Sequence, residues 1–156
     1  MRLEKYTSED VELYERLVFN EKTMSLNYGR VFTKEEADML FQYIISSNAD
    51  DGITGYYKVY ADEYIGLGAL TFDEGSGDLE IEYMLLPEYW GYGHGSELVG
   101  ILTKMAEKSG LSSSVSAITD PTNERSVKIL LKNGFRLIRS YINEDGEPAE
   151  VYSKKL

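Results

Sequence analysis

Three glycines stand at alternate positions, Gly91, Gly93 and Gly95, in the stretch PEYWGYGHGSEL (87–98), where a strand-like segment hands over to a helix-like one. Glycine tolerates positive φ and lets another molecule approach the backbone closely. A helix N-terminus adds unpaired N–H groups and the positive end of the helix dipole. The two together make an anion site, most naturally for a phosphate. A tight turn with no ligand is the plainer reading, but three alternate glycines would then cost chain entropy with no return.

The usual phosphate loops do not fit. G-x-G-x-x-G begun at Gly91 reaches Ser96, and begun at Gly93 it reaches Leu98. Gly95 and Gly100 have the spacing of G-x-x-x-x-G-K-[ST], but Ile101 follows in place of lysine. The segment before the turn also belongs to a run of consecutive strands rather than a strand–helix–strand unit. These departures weaken nicotinamide, flavin and ATP as ligands.

The rest of the chain supplies the frame. Residues 2–7 read as a strand, and 8–20 as a helix with Val11, Leu13, Tyr14, Leu17 and Val18 on one side. Thr33 followed by Glu36 has capping-box spacing, which predicts a second helix with Met39, Leu40, Tyr43 and Ile44 on its apolar face. Residues 53–72 alternate as a hairpin turning at Asp62-Glu63, FDEGSGD is a glycine-rich turn, and 79–86 is a further strand. A helix over 96–108, a strand over 113–119, a helix ending at Gly134 and a last hairpin follow. The order β-α-α-β-β-β-α-β-α-β-β predicts an α+β fold: a single mixed, largely antiparallel sheet flanked by helices. The 156 residues suit one domain, 1–156.

Composition removes whole classes of chemistry. With no cysteine, disulfides, thiolate nucleophiles and Cys–zinc sites are out, and one histidine, His94, cannot build a His-rich metal site. A Ser-His-Asp triad would have to draw on His94 from inside the glycine turn. No metal is expected. Net charge of −11 disfavours nucleic acid and favours a cationic small molecule or basic peptide. No apolar run is long enough to span a membrane, and the first residues, MRLEKYTSED, lack a signal-peptide core; no membrane partner and a cytoplasmic location are expected. Thirteen tyrosines are many for this length, and tyrosine suits half-wet pockets as well as strands.

WGYGHGSEL resembles the pyrophosphate loop of the GNAT acetyltransferases, [QR]-x-x-G-x-[GA], with Gly93-His94-Gly95 matching its end and Trp90 in the usual Gln/Arg place. DPTNERSVKILLKNGF is similar to the N-x-x-S-x-x-x-L-x-K-x-G-F segment of the branch related to ribosomal-protein N-acetyltransferases, through Asn123, Ser126, Lys132, Gly134 and Phe135. The resemblance is strongest over 79–135. It implies a GNAT-like acyl-CoA N-acyltransferase fold and transfer of an acetyl group from acetyl-CoA to a primary amine. The acceptor could be a protein N-terminus, a polyamine, an aminoglycoside or another small amine. The backbone of Gly91, Tyr92, Gly93, His94, Gly95 and Ser96 would hold pyrophosphate, Met84 and Leu85 the pantetheine arm, and Asn123 and Ser126 the CoA from the other side. A bulge near Leu85 would free its N–H to polarise the thioester carbonyl. Glu80 and Glu82, on one face of their strand, would supply the base, with Glu82 preferred. The family's acid tyrosine is replaced by Leu130, leaving Ser126 and Tyr141 as candidates. Residues 21–32 would shape the acceptor pocket. A non-catalytic acyl-CoA-binding sensor and a ligand-free structural domain are the alternatives, and a homodimer is the assembly considered.

Overall fold

The computed structural model describes residues 1–73 and 75–156. Its strands form one seven-stranded sheet in the order β1-β2-β3-β4-β5-β7-β6. These are β1 (Arg2–Lys5), β2 (Gly55–Tyr60), β3 (Tyr64–Phe72), β4 (Leu79–Leu85), β5 (Ser114–Thr119), β6 (Arg136–Ile142) and β7 (Pro148–Lys155). Every pairing is antiparallel except β4–β5. The expected mixed, largely antiparallel sheet is therefore present.

The helices cover both faces. α1 (Val11–Val18), α2 (Glu21–Asn27) and α3 (Lys34–Ser47) bury Tyr14, Leu17, Met24 and Phe41 against Leu67 and Ala69 of β3. On the other face, α4 (His94–Ser109) and α5 (Glu124–Lys132) pack Leu98, Leu102 and Leu130 on Leu79 and Ile81. The predicted capping box of α3 forms: Thr33 Oγ1 accepts from the Glu36 amide at 3.2 Å.

Two local expectations need correcting. α3 buries Ala37, Phe41 and Ile44, whereas Met39 and Tyr43 are 65% and 55% exposed. The buried stripe follows the i, i+4, i+7 rule one step round from the predicted one, and Tyr43 looks instead into a cavity. α2 has no counterpart in the sequence reading. It is seven residues long, too short for a clear period, and it is started by Asn20, whose Oδ1 accepts from the Thr23 amide at 3.0 Å. In the FDEGSGD turn Asp73 accepts from the Gly75 and Ser76 amides at 3.1 Å; Glu74 lies outside the described residues.

Candidate active site

The three glycines of the turn have different physical reasons. Gly91 and Gly93 have φ of +85° and +86°, the left-handed region that side chains avoid, and a Cβ on either would meet no protein atom within 4 Å. Gly93 is the N-cap of α4. Gly95 is a packing glycine: a Cβ there would lie 2.7 Å from Ile129 Cδ1, where α4 and α5 meet. Among the described residues, the amides from Gly91 to Ser96 bond to no protein acceptor. A row of unpaired N–H groups thus lines open backbone at a helix N-terminus. The Tyr92 side chain is 76% exposed, and neither it nor His94 lines the two cavities described below, so what each brings to the turn is its backbone amide.

Trp90 ties this turn to the sheet. Its indole N–H donates to the Leu85 carbonyl at 2.8 Å, and the Arg125 guanidinium lies 4.5 Å from its ring centre. A cavity of about 300 Å³ runs beside the turn, lined by Gly91, Gly93, Gly95, Ser96 and, across it, Asn123 and Ser126 of the α5 start. Asn123 also caps α5, its Oδ1 accepting from the Ser126 amide at 3.2 Å. Arg125, Lys128 and Lys132 form the cationic wall of this cavity. In a chain of net charge −11, three cations facing a row of free amides make a local anion site. The sequence reading missed this wall, although i, i+3, i+7 spacing on one helix was visible.

Beyond the turn, β4 and β5 part. They pair only at Leu79↔Val115 and Glu80↔Ser116. The pairing of β4 with β3 is unbroken from Phe72↔Leu79 to Gly66↔Leu85, so the expected bulge near Leu85 is absent. Its free amide arises differently. The Leu86 amide donates to the Ile65 carbonyl at 2.9 Å, which makes Gly66↔Leu85 a non-hydrogen-bonded pair. Ladder alternation then turns the amides of Leu85 and Tyr83 away from β3, into the β4–β5 gap. An acyl chain laid in that gap would find two backbone donors without any bulge.

A second cavity, of about 330 Å³, opens on the α1–α3 side of the gap. The two cavities share Leu26, Asn27, Tyr83, Met84 and Ser126, so they are halves of one groove meeting at the strand gap. Residues 21–32 do line the second half, through Met24, Leu26, Asn27, Tyr28 and Phe32. Glu82 sits on its floor, with water access through the cavity but protein packed around it. The side chain is open to solvent along the cavity, yet the protein crowded around it strips away part of its water and raises the Glu82 carboxyl above the ordinary carboxylate range, partly offset by the Tyr56 hydroxyl facing it. Glu80, two residues away on the same face, lines neither cavity; burial and then the charges of Glu82 and Asp73 push it up to about 7.

The candidate acids separate cleanly. Tyr141 lies on β6, the outer edge strand, lines neither cavity, and has Arg139 4.8 Å above its ring. The prediction for Tyr141 therefore fails: β7 inserts between β5 and β6 and carries β6 away from the groove. Leu130 is fully buried in the core. Ser126 does face the groove, and its Oγ lies 2.7 Å from the Tyr83 hydroxyl. Tyr83, which the sequence reading passed over, stands on the wall common to both cavities; burial pushes its phenol up to about 12, with Ser126 pulling the other way.

Among the described residues, no group of three or more His, Cys, Asp or Glu side chains could hold a metal ion, and no helix is long and apolar enough to cross a membrane. A family model described as an acetyltransferase (GNAT) domain matches residues 1–136. An uncharacterised N-acetyltransferase, YoaA of Bacillus subtilis (strain 168), is 33% identical over 79 residues, 47% of this chain and 45% of the relative. The match thus spans less than half of that relative's length. Among solved structures, RimL, a ribosomal L7/L12 alpha-N-protein acetyltransferase in complex with coenzyme A, superposes with a TM-score of 0.80 at 19% identity, covering 99% of this chain and 93% of its own. Spermidine N-acetyltransferase from Vibrio cholerae, in complex with CoA and spermine, gives 0.79 at 16%, covering 99% and 94%. The match over most of the chain, on a fold with an open glycine turn and a parted β4–β5 pair, means that the chain belongs to the GNAT family of acetyltransferases, acyltransferases that draw on acetyl-CoA.

Proposed function

We propose that this protein transfers the acetyl group of acetyl-CoA to a cationic primary amine, with the donor in the turn-side half of the groove and the acceptor in the Glu82 half. The observation that carries this reading is the meeting of the two cavities at the β4–β5 gap. The amides of the Gly91–Ser96 turn and the Arg125, Lys128 and Lys132 wall suit the phosphates of CoA. The Leu85 and Tyr83 amides suit the thioester carbonyl and the charge it gathers during attack.

An alkylammonium has a pKa near ~10.4 and must lose a proton to attack. Glu82 stands on the acceptor side to take it, and its raised pKa makes it a better base than a surface carboxylate. The nitrogen–carbon bond forms, the carbon–sulfur bond breaks, and the sulfur leaves as thiolate or takes a proton from the Tyr83 hydroxyl. Ser126, bonded to Tyr83, supports that hydroxyl. Spermine in the Vibrio relative is an amine of the kind this reading requires.

The test follows free thiol released from acetyl-CoA as primary amines are added. Amine-dependent release supports the transferase. A melting shift with acetyl-CoA, but no amine-dependent thiol from any primary amine, would leave a non-catalytic acyl-CoA sensor.

A further inference from the structure

The acceptor half of the groove has a composition that narrows its substrate. Among the described residues, the charged ones that line it are Glu82 and Asp120, with no lysine, arginine or histidine. Asp120 Oδ1 is already engaged by the Thr122 amide and hydroxyl, each at 2.7 Å. Most of the remaining wall is aromatic and aliphatic, with Asn27, Thr119 and Ser126 as its neutral polar members. Tyr43 and Tyr56 meet edge to face at 6.2 Å between ring centres, and Tyr28 and Phe32 do so at 4.8 Å. Tyr14 lines the cavity beside them; burial, and after it the Glu82 charge, raises its phenol. At about 330 Å³, the space lies at the small end of ligand sites, which run from roughly 300 to 1,000 Å³.

We propose that the acceptor is a small monoamine with one ammonium group and an apolar body about the size of an aromatic ring. The proposal rests on the acetyltransferase reading above and deepens it. The ammonium lies against Glu82, with Asp120 adding field, and the body lies among Tyr14, Tyr43 and Tyr56. An aromatic wall favours both halves of such a molecule: ring faces attract the cation, and ring edges pack the apolar body. A polyamine or an aminoglycoside brings several ammonium groups. The second would find only Asp120, whose Oδ1 is already engaged by Thr122, and each one beyond that would leave water for a wall made mostly of rings and alkyl groups. Discrimination of this kind rests on the partner a buried charge fails to find.

The experiment compares kcat/KM, read as thiol release, for 2-phenylethylamine, ethylamine, spermidine, kanamycin and the dipeptide Ser-Ala. 2-Phenylethylamine is expected to exceed each of the others by about tenfold or more, the ratio that follows when a ring-sized apolar body leaves water. Tyr43→Ala removes one wall of the cavity from a half-exposed position. It is expected to raise KM for 2-phenylethylamine at least about fivefold more than for ethylamine, as loss of apolar contact requires. Circular dichroism and the acetyl-CoA melting shift check that the variant is folded and binds the donor. If spermidine, kanamycin or the dipeptide is the better substrate, this proposal falls while the transferase reading stands. If acetyl-CoA shifts the melting curve but no amine releases thiol, both fall. Equal KM changes for the two monoamines in Tyr43→Ala would also overturn it.

Discussion

The Tyr83 hydroxyl lies 2.7 Å from the Ser126 hydroxyl, joining β4 to the head of α5 across the point where the two halves of the groove meet. Leu130, which stands where the family resemblance put an acid tyrosine, is fully buried and offers no proton, whereas this pair brings hydroxyls to the strand gap. Tyr83→Phe is expected to lower kcat by about 10- to 100-fold, toward the low end of general acid–base effects. Acetyl-CoA affinity should stay within a few-fold. Ser126→Ala should have a smaller effect in the same direction. An unchanged kcat in Tyr83→Phe would mean that the thiolate leaves unprotonated.

Glu82→Gln should be the more damaging change. It keeps the shape of the side chain and removes the base, so kcat/KM should fall by about 10²–10⁴. The pH profile is the decisive readout. Because the protein crowded around the cavity floor holds the Glu82 carboxyl above its usual range, the wild-type rate should rise with pH through that raised value as the base ionises. In Glu82→Gln this limb should vanish, leaving only the rise due to the amine itself. A retained limb would assign the base elsewhere.

Glu80 carries a stability prediction instead. Its carboxyl ionises near 4.5 in the unfolded chain and near 7 in the folded one. Between those values the folded protein holds a proton that the unfolded chain has released. Stability therefore falls as pH rises through that window and levels off above it. Glu80→Gln removes the penalty, so it should stabilise the protein at pH 8 by roughly 1–2 kcal/mol, discounted for solvent screening at a partly exposed group. At pH 5 it should have little effect. Urea unfolding at the two pH values measures this, and an equal gain at both would show that ionisation of Glu80 is not the cause.

The legible parts of this chain were the local ones. The glycine turn, the β4 alternation that puts Glu80 and Glu82 on one face, and the Asn123 cap are each written within a few consecutive residues. What was missed depends on contacts distant in sequence. Tyr83 and Ser126 are 43 positions apart, and only the parting of β4 from β5 brings them to one wall. Tyr141 was misplaced because strand order, and not strand existence, decides its address: β7 takes the place beside β5 and leaves β6 outermost. The free Leu85 amide was anticipated for a different reason, since it follows from losing a neighbour strand rather than from a bulge.

The glycine turn separates two effects that the sequence runs together. A methyl group at Gly93 meets no protein atom within 4 Å, but it must adopt φ near +86°, which costs about 1–2 kcal/mol. It also stands on the backbone that faces the CoA phosphates in the proposed complex. Gly93→Ala should therefore melt a few degrees lower than the native protein and lose much of its response to acetyl-CoA. For the native protein, a hundredfold excess of ligand over Kd adds about 2.7 kcal/mol, or roughly 5–10 °C in Tm for a chain of this size. Gly95→Ala should behave differently. Its methyl group pushes on Ile129 Cδ1 at 2.7 Å, inside the α4–α5 contact, so the loss is one of packing. Shortening the neighbour in Gly95→Ala/Ile129→Val should recover most of the lost stability, whereas Ile129→Val should not restore the acetyl-CoA response of Gly93→Ala. Differential scanning fluorimetry on the four variants, with and without acetyl-CoA, decides the matter. A full melting shift in Gly93→Ala would mean that the turn does not hold the phosphates through its backbone.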